Sequence, residues 1–172
     1  MQKIRIFSAK RLARAGVIAG LYVVASLITM PIASGVIQFR IAEALTILPL
    51  FFIEAVPALF VGCILSNVIT GCVILDTFLG SVITLISATL TFIIGKIIKK
   101  TPIKIFLGGL FPVLLNALIL PIIWQVSYGY SEYIYPLSAL FLIVGQSLAV
   151  YGVGSPLFLA VNRLIDRQSI KK

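Results

Sequence analysis

Histidine is absent from this chain of 172 residues, and charged residues make up only 11% of it. A zinc site built from cysteine and histidine is therefore not expected, and two cysteines are too few for a disulfide framework. Cys63 and Cys72 fall within or at the edge of one apolar run, where cysteine commonly acts as a small apolar side chain. No serine or cysteine lies beside an evident base, so we expect no catalytic residue, no metal site and no enzymatic activity.

Apolar residues, in contrast, make up 60% of the chain and recur in runs along nearly its whole length. The mean hydropathy of +1.17 excludes a soluble globular protein and indicates an all-α membrane protein. At about 20 residues per crossing, a single domain of residues 1–172 has room for about six helices with short loops. No room is left for a nucleotide-binding domain, so ATP-driven work would need partner chains.

Six membrane spans are predicted from the apolar runs. Their approximate limits are Ala15–Ile32, Gln38–Phe52, Glu54–Leu75, Asp76–Ile98, Ile105–Val126 and Pro136–Leu164. The first resembles a signal peptide, but its apolar part is longer than the usual hydrophobic region, so a retained helix is favoured. Pro49 interrupts the second span, and Asp76 is suited to the N-cap of the fourth.

The net charge of +9 could indicate nucleic-acid binding, but the basic residues flank the apolar runs. Membrane proteins use such lysines and arginines to set their orientation, with the basic loops in the cytoplasm. With six spans, 13 of the 14 basic residues fall on one side, and Arg40 is the exception. We therefore predict a six-helix bundle with cytoplasmic N and C termini, and no nucleic-acid partner.

Arg40 and Glu43 stand at the head of a segment that is otherwise apolar. Ionisable groups inside a membrane are costly, so they default to a functional hypothesis. Residues three apart share a helix face, so one interpretation is an Arg40–Glu43 pair that anchors the helix at the outer interface. The alternative is that Glu43 faces the bundle interior and accepts hydrogen bonds from a ligand. Arg40 would then hold the charge of Glu43 or gate the entrance.

Polar and aromatic side chains of other spans are placed at comparable depth, and they are Asn67, Asn116, Trp124, Tyr128 and Gln146. Residues four apart lie on one face of a helix. They form here one stripe, which consists of Asn116, Leu120, Trp124 and Tyr128. Each amide alone is more typical of a hydrogen bond between helices. Together with Glu43 they predict a pocket for a planar, hydrogen-bonding small molecule between aromatic rings. For Asp76, a helix cap is favoured over a ligand contact.

Small residues recur in the first span as two overlapping pairs, Ala15 with Ala19 and Gly16 with Gly20. This spacing lets a second helix approach closely. The partner helix could belong to the same bundle or to another protein. The pairs lie at the predicted cytoplasmic end, opposite the predicted pocket, which suits a binding subunit driven by partners.

The segment Phe39–Phe52, with its F-R-x-x-E-A-L-T-x-L-P block, resembles the QueT family, and so do Glu54–Cys63 and Asp76–Ser81. QueT proteins are substrate-binding (S) components of energy-coupling factor (ECF) transporters for queuosine precursors. The resemblance implies a multi-pass protein of the cell membrane whose outward-open pocket loads a 7-deazaguanine such as 7-aminomethyl-7-deazaguanine. It also implies release when the subunit docks on a transmembrane T protein with two ATPases, so that ATP is used there and this chain needs no cofactor. The A-x-x-x-A pattern that contacts the T protein matches Ala15 and Ala19.

The resemblance implies roles for the polar residues. A guanine-like face offers neighbouring N–H donors, which a carboxylate such as Glu43 accepts as a charge-assisted pair. The amides of Asn67, Asn116 and Gln146 would meet the carbonyl and ring nitrogens, and Trp124 or Tyr128 would stack. Asp76 is the candidate for an aminomethyl cation. Two alternatives remain: an S component for another, vitamin-like cargo, and a stand-alone carrier that couples transport to protons through one buried carboxylate.

Overall fold

A computed structural model of the protein describes residues 8–33, 38–128 and 134–170, which form helices joined by short turns. No strand occurs within these ranges, so the predicted all-α class is confirmed for them. The helices are α1 (Ala9–Ala33), α2 (Ile41–Leu50), α3 (Ala55–Ile69), α4 (Ile74–Ile97), α5 (Thr101–Tyr128) and α6. The last, α6, runs as α-helix over Tyr135–Ser147, passes through a π-helical segment at Leu148–Val153, and continues as Gly154–Ile170.

Four helices are long and apolar enough to cross a bilayer, namely α1, α4, α5 and α6. The other two, α2 and α3, are apolar but shorter. A 15-residue α-helix such as α3 is about 22 Å long, less than the roughly 30 Å of a bilayer core. The chain therefore has the helices of a multi-pass membrane protein. Six crossings, cytoplasmic termini and a single domain of residues 1–172 stay predictions.

The third predicted span is too long, because α3 ends at Ile69 rather than near Leu75. Gly71 takes a φ of +75°, which terminates the helix. The N–H of Cys72 donates to the carbonyl of Asn67 at 3.0 Å, and the N–H of Gly71 donates to that of Val68 at 3.3 Å. These two bonds form the Schellman motif that commonly closes a helix at glycine.

The short helix α2 lies at the centre of the molecule, contacts all five other helices and is a 3₁₀ helix of 10 residues. Runs of this length are uncommon, and the rise of about 2.0 Å per residue stretches α2 to about 20 Å. Two glycines allow neighbouring helices to approach its end closely. A Cβ at Gly95 would lie 2.6 Å from the carbonyl oxygen of Leu50, and one at Gly108 would lie 2.8 Å from the Leu50 side chain. Helices α4 and α5 therefore hold α2 at Leu50.

Candidate functional site

Glu43 is buried near the start of α2, and its carboxylate is held by two other helices. The hydroxyl of Tyr22 on α1 donates to Oε1 at 2.7 Å, and Nδ2 of Asn116 on α5 donates to Oε2 at 3.3 Å. Both donors are uncharged. A carboxylate has about four acceptor positions, so Glu43 can take further hydrogen bonds from a ligand.

Arg40 does not pair with Glu43. Among the residues that the structure describes, the one ion pair within 4.0 Å joins Arg14 to Glu54. The interpretation of Arg40 and Glu43 as a helical i, i+3 pair is therefore wrong. Arg40 precedes α2 with an extended backbone (φ −114°, ψ 105°), so the face-sharing rule for helices does not apply to it.

Arg40 instead lines a cavity of about 120 Å³ that is also lined by Tyr22, the donor to Glu43, but not by Glu43 itself. The remaining lining residues are Tyr22, Ser26 and Met30 of α1, Ser66 and Asn67 of α3, and Thr70 and Cys72 just after it. Arg40 interacts electrostatically with both Glu43 and Asp76. Ligand pockets usually measure about 300–1,000 Å³, so a double-ring ligand would require the surrounding helices to move apart.

Asp76 lies inside the first turn of α4 rather than at its N-cap, which is Val73. The predicted cap is therefore wrong, because the observed N-cap lies three residues earlier. The buried carboxylate accepts a hydrogen bond from the indole N–H of Trp124 at 3.3 Å. A carboxylate in the first turn is also favoured by the helix dipole.

Asn67 shares a neighbour, Gly80 of α4, with this second carboxylate. A Cβ on Gly80 would lie 3.5 Å from Oδ1 of Asp76 and 3.8 Å from Nδ2 of Asn67, so both atoms approach the same glycine. Asn67 is buried, and its amide also lies 3.8 Å from the sulfur of Cys63. Asp76 thus contacts Trp124 instead of capping its helix, and the role of Asn67, Asp76 and Trp124 in ligand binding stays a prediction.

Gln146 is fully buried on α6, and its Oε1 has no hydrogen-bond partner among the described residues. An unpaired buried acceptor costs about 1–3 kcal/mol, so this atom is a candidate for a hydrogen bond from a ligand. Tyr128 is the last residue of α5, and its side chain lies outside the described part.

The sequence did not predict Tyr22 as a site residue, because Tyr22 lies in an apolar run. A buried tyrosine hydroxyl usually finds a hydrogen-bond partner, and this was the available signal. Tyr22 follows Ala15 and Ala19 on one face of α1, at spacings of seven and three residues.

The small residues of α1 divide into two faces. Ala15 and Ala19 are half-buried and pack against the cluster that α1 forms with α3, whereas Gly16 and Gly20 are exposed, with nothing within 4 Å of a Cβ at either position. Ala15, Gly16 and Ala19 also line an open groove of about 930 Å³. Its walls include Phe92 of α4 and the chain around Glu54.

No group of three or more cysteine, aspartate or glutamate side chains could hold a metal ion within the described ranges. Both cysteines are free thiols. The site thus consists of two buried carboxylates with their uncharged hydrogen-bond donors and of Arg40, which interacts electrostatically with both carboxylates, while the place of Gln146 in it stays a prediction.

A comparison with protein families identifies the chain. The family model of the QueT transporter matches residues 12–163. The chain belongs to the QueT transporter family. No curated protein and no protein of solved structure matches it. The resemblance seen in the sequence is therefore confirmed, and membership makes the chain a membrane transporter for a small molecule rather than an enzyme.

Proposed function

We propose that the chain is the substrate-binding (S) component of an ECF transporter in the cell membrane and that it captures a queuosine precursor. The cargo is a 7-deazaguanine such as 7-aminomethyl-7-deazaguanine. The observation that carries the proposal is the Glu43 carboxylate, which is buried among uncharged donors and has acceptor positions left for a ligand. The family match supports the transport role.

Charge supports a cationic cargo. Arg40 interacts electrostatically with both Glu43 and Asp76, so the three groups would carry one net negative charge with both carboxylates ionised. Uncompensated charge in a membrane interior is costly. A ligand with a single ammonium group, such as an aminomethyl substituent, restores neutrality.

The residues take complementary roles in this proposal. Glu43 accepts the paired N–H donors of the guanine-like face, and Asp76 meets the ammonium group. The Gln146 carbonyl accepts a further N–H, while Asn67 and Asn116 meet the ligand carbonyl and ring nitrogen. The indole of Trp124 or the ring of Tyr128 stacks on the double ring of the ligand. Arg40 offsets part of the negative charge of Glu43 and Asp76.

A binding assay on the purified protein in lipid nanodiscs tests the cargo. We expect calorimetry to show tight binding of 7-aminomethyl-7-deazaguanine and weaker binding of the neutral 7-cyano compound. Riboflavin, biotin and thiamine serve as controls. Binding of one of these vitamins without binding of the deazaguanines would favour an S component for another cargo.

Partner chains supply the energy in this proposal. ATP is hydrolysed by two ATPase subunits, a transmembrane T protein docks on α1 through Ala15 and Ala19, and this chain holds no cofactor. We expect Ala15→Trp to abolish uptake of labelled deazaguanine in cells while leaving binding to the purified protein intact. Gly152→Ala is the control, because a Cβ at this position meets nothing within 4 Å. Gly109→Ala is unsuitable, because a Cβ there would lie 2.6 Å from the Tyr151 ring.

A proton-coupled carrier is the second candidate, because a single buried carboxylate such as Glu43 can carry a proton. Uptake in cells that lack the ATPase subunits separates the two. Uptake that persists there and responds to the proton gradient would establish the carrier instead.

A further inference from the structure

Tyr22 connects the helix with the docking alanines to the carboxylate of the candidate site. It is buried on α1, and its hydroxyl donates to Oε1 of Glu43 at 2.7 Å. Its side chain also lines the cavity beside Arg40. Tyr22 therefore stands between α1 and the group that would bind the ligand.

Close packing fixes the position of Tyr22 against α3. A Cβ on Gly62 would lie 2.9 Å from Cβ of Tyr22 and 3.1 Å from the carbonyl oxygen of Ala19. Real side chains almost never come within 3.0 Å of such an atom, so α1 and α3 touch here along their backbones. Any movement of α1 relative to α3 shifts the Tyr22 hydroxyl.

We infer that Tyr22 is a positioning residue that makes the ligand affinity of Glu43 depend on where α1 lies. The hydroxyl holds the carboxylate with one oxygen toward α1, so that the remaining acceptor positions face the ligand. Displacement of α1 from α3, as when a partner docks at Ala15 and Ala19, breaks this bond and lowers affinity. This inference rests on the proposed function for its ligand and partner.

The size of the cavity agrees with a moving α1. At about 120 Å³ the cavity is too small for a double ring, and three of its eight lining residues, Tyr22, Ser26 and Met30, belong to α1. In the described chain, α2 is held by glycine contacts with α4 and α5 at Leu50. Helix α1 carries five exposed leucine, isoleucine or valine side chains from Val17 to Ile28, and it contacts only α2 and α3 extensively.

The first test is independent of ligand. Infrared difference spectra of the protein in nanodiscs, wild type minus Glu43→Gln, isolate the carboxyl stretching band of Glu43. We expect Tyr22→Phe to shift this band, because it removes one hydrogen bond. Tyr151→Phe is the matched control, since its hydroxyl donates at 2.9 Å to the carbonyl of Phe106. A band that does not move in Tyr22→Phe overturns the inference.

The second test measures affinity for 7-aminomethyl-7-deazaguanine. We expect Tyr22→Phe to lower the affinity roughly ten- to hundredfold, which is the usual effect of one hydrogen bond to a charged group. Tyr151→Phe should leave the affinity unchanged. Equal losses in the two variants would indicate a general effect of tyrosine hydroxyls on the fold and would overturn the inference. Failure of the wild type to bind any probe would overturn the proposed function, and the infrared band would still decide whether Tyr22 holds Glu43.

A glycine pair tests the dependence on the position of α1. Gly62→Ala pushes Tyr22 and Ala19 away from α3, while Gly20→Ala, on α1 itself, meets nothing within 4 Å. We expect Gly62→Ala to shift the Glu43 band and to lower affinity, and Gly20→Ala to do neither. Full affinity in a folded Gly62→Ala protein would contradict the coupling between α1 and the site.

Discussion

Two arginine–glutamate combinations lie in this protein, and they are arranged in opposite ways. Arg14 and Glu54 contact directly at 2.5 Å, and the Arg14 guanidinium also lies 4.2 Å from the centre of the Phe52 ring. Arg40 and Glu43, although three residues apart, make no ion pair; Glu43 takes uncharged donors and Arg40 faces a cavity. The first combination is complete within the chain, whereas the second has binding capacity left.

The difference distinguishes an ion pair that is satisfied within the fold from a carboxylate that we propose binds a ligand. A paired and partly exposed ion pair contributes modestly to stability and has little to offer a solute. A buried carboxylate held by neutral groups is costly inside a membrane protein, so such a group is a candidate for function. The same substitution made at each of the two glutamates tests this comparison.

The largest effect is expected at the two glutamates. Glu43→Gln removes the charge but keeps the shape, and we expect a loss of affinity for 7-aminomethyl-7-deazaguanine of roughly a hundred- to thousandfold, because two charge-assisted hydrogen bonds are weakened. Glu54→Gln is the matched control, and its affinity should equal that of wild type. Calorimetry measures the ligand affinity of both variants. Equal losses of affinity would contradict the distinction between the two arginine–glutamate combinations.

A smaller effect is expected at the second carboxylate. Trp124→Phe keeps an aromatic ring but removes the N–H that donates to Asp76 at 3.3 Å. We expect a loss of roughly tenfold in affinity, since Asp76 gains freedom to turn away from the ligand. Affinity for the 7-cyano compound should fall less than affinity for the aminomethyl compound. An equal fall for both would remove Asp76 from recognition of the ammonium group.

The smallest effect is expected at Arg14. Arg14→Gln removes the ion pair with Glu54 and the contact with Phe52, and the Arg14 side chain is 34% exposed. We therefore expect a loss of only about 1 kcal/mol of stability, with ligand affinity unchanged. Thermal unfolding in nanodiscs, with and without ligand, measures this. A drop in affinity would mean that the Arg14–Glu54 pair also shapes the site.

Much of the site was predictable from where polar residues fall along apolar runs. Glu43, Asn67, Asn116 and Gln146 are all buried, as expected for amides and a carboxylate near the middle of helices. Trp124 turns inward to Asp76, in agreement with the stripe that begins at Asn116. Depth and face follow from composition and helical period alone.

Other features depended on backbone details that a short apolar segment does not reveal. Ten residues around Pro49 are compatible with α or 3₁₀ geometry, and the sequence pattern does not reveal that Gly95 and Gly108 pack closely against Leu50. The separation of Arg40 from Glu43 follows from the extended backbone at Arg40. The role of Tyr22 depends on its hydrogen bond to Glu43, which is 21 residues away in the sequence. Local sequence patterns do not reveal such a contact.

The early end of α3 has a consequence for how a solute reaches the site. A hydrophobic helix of about 22 Å is matched by local thinning of the bilayer, which draws the water interface inward at its end. Ser66, Asn67 and Thr70, in and after the last turn of α3, line the cavity. In the proposed function, a polar cargo that enters next to Gly71 would meet these hydroxyl and amide groups first, and the glycine that closes α3 would set the depth of the entrance.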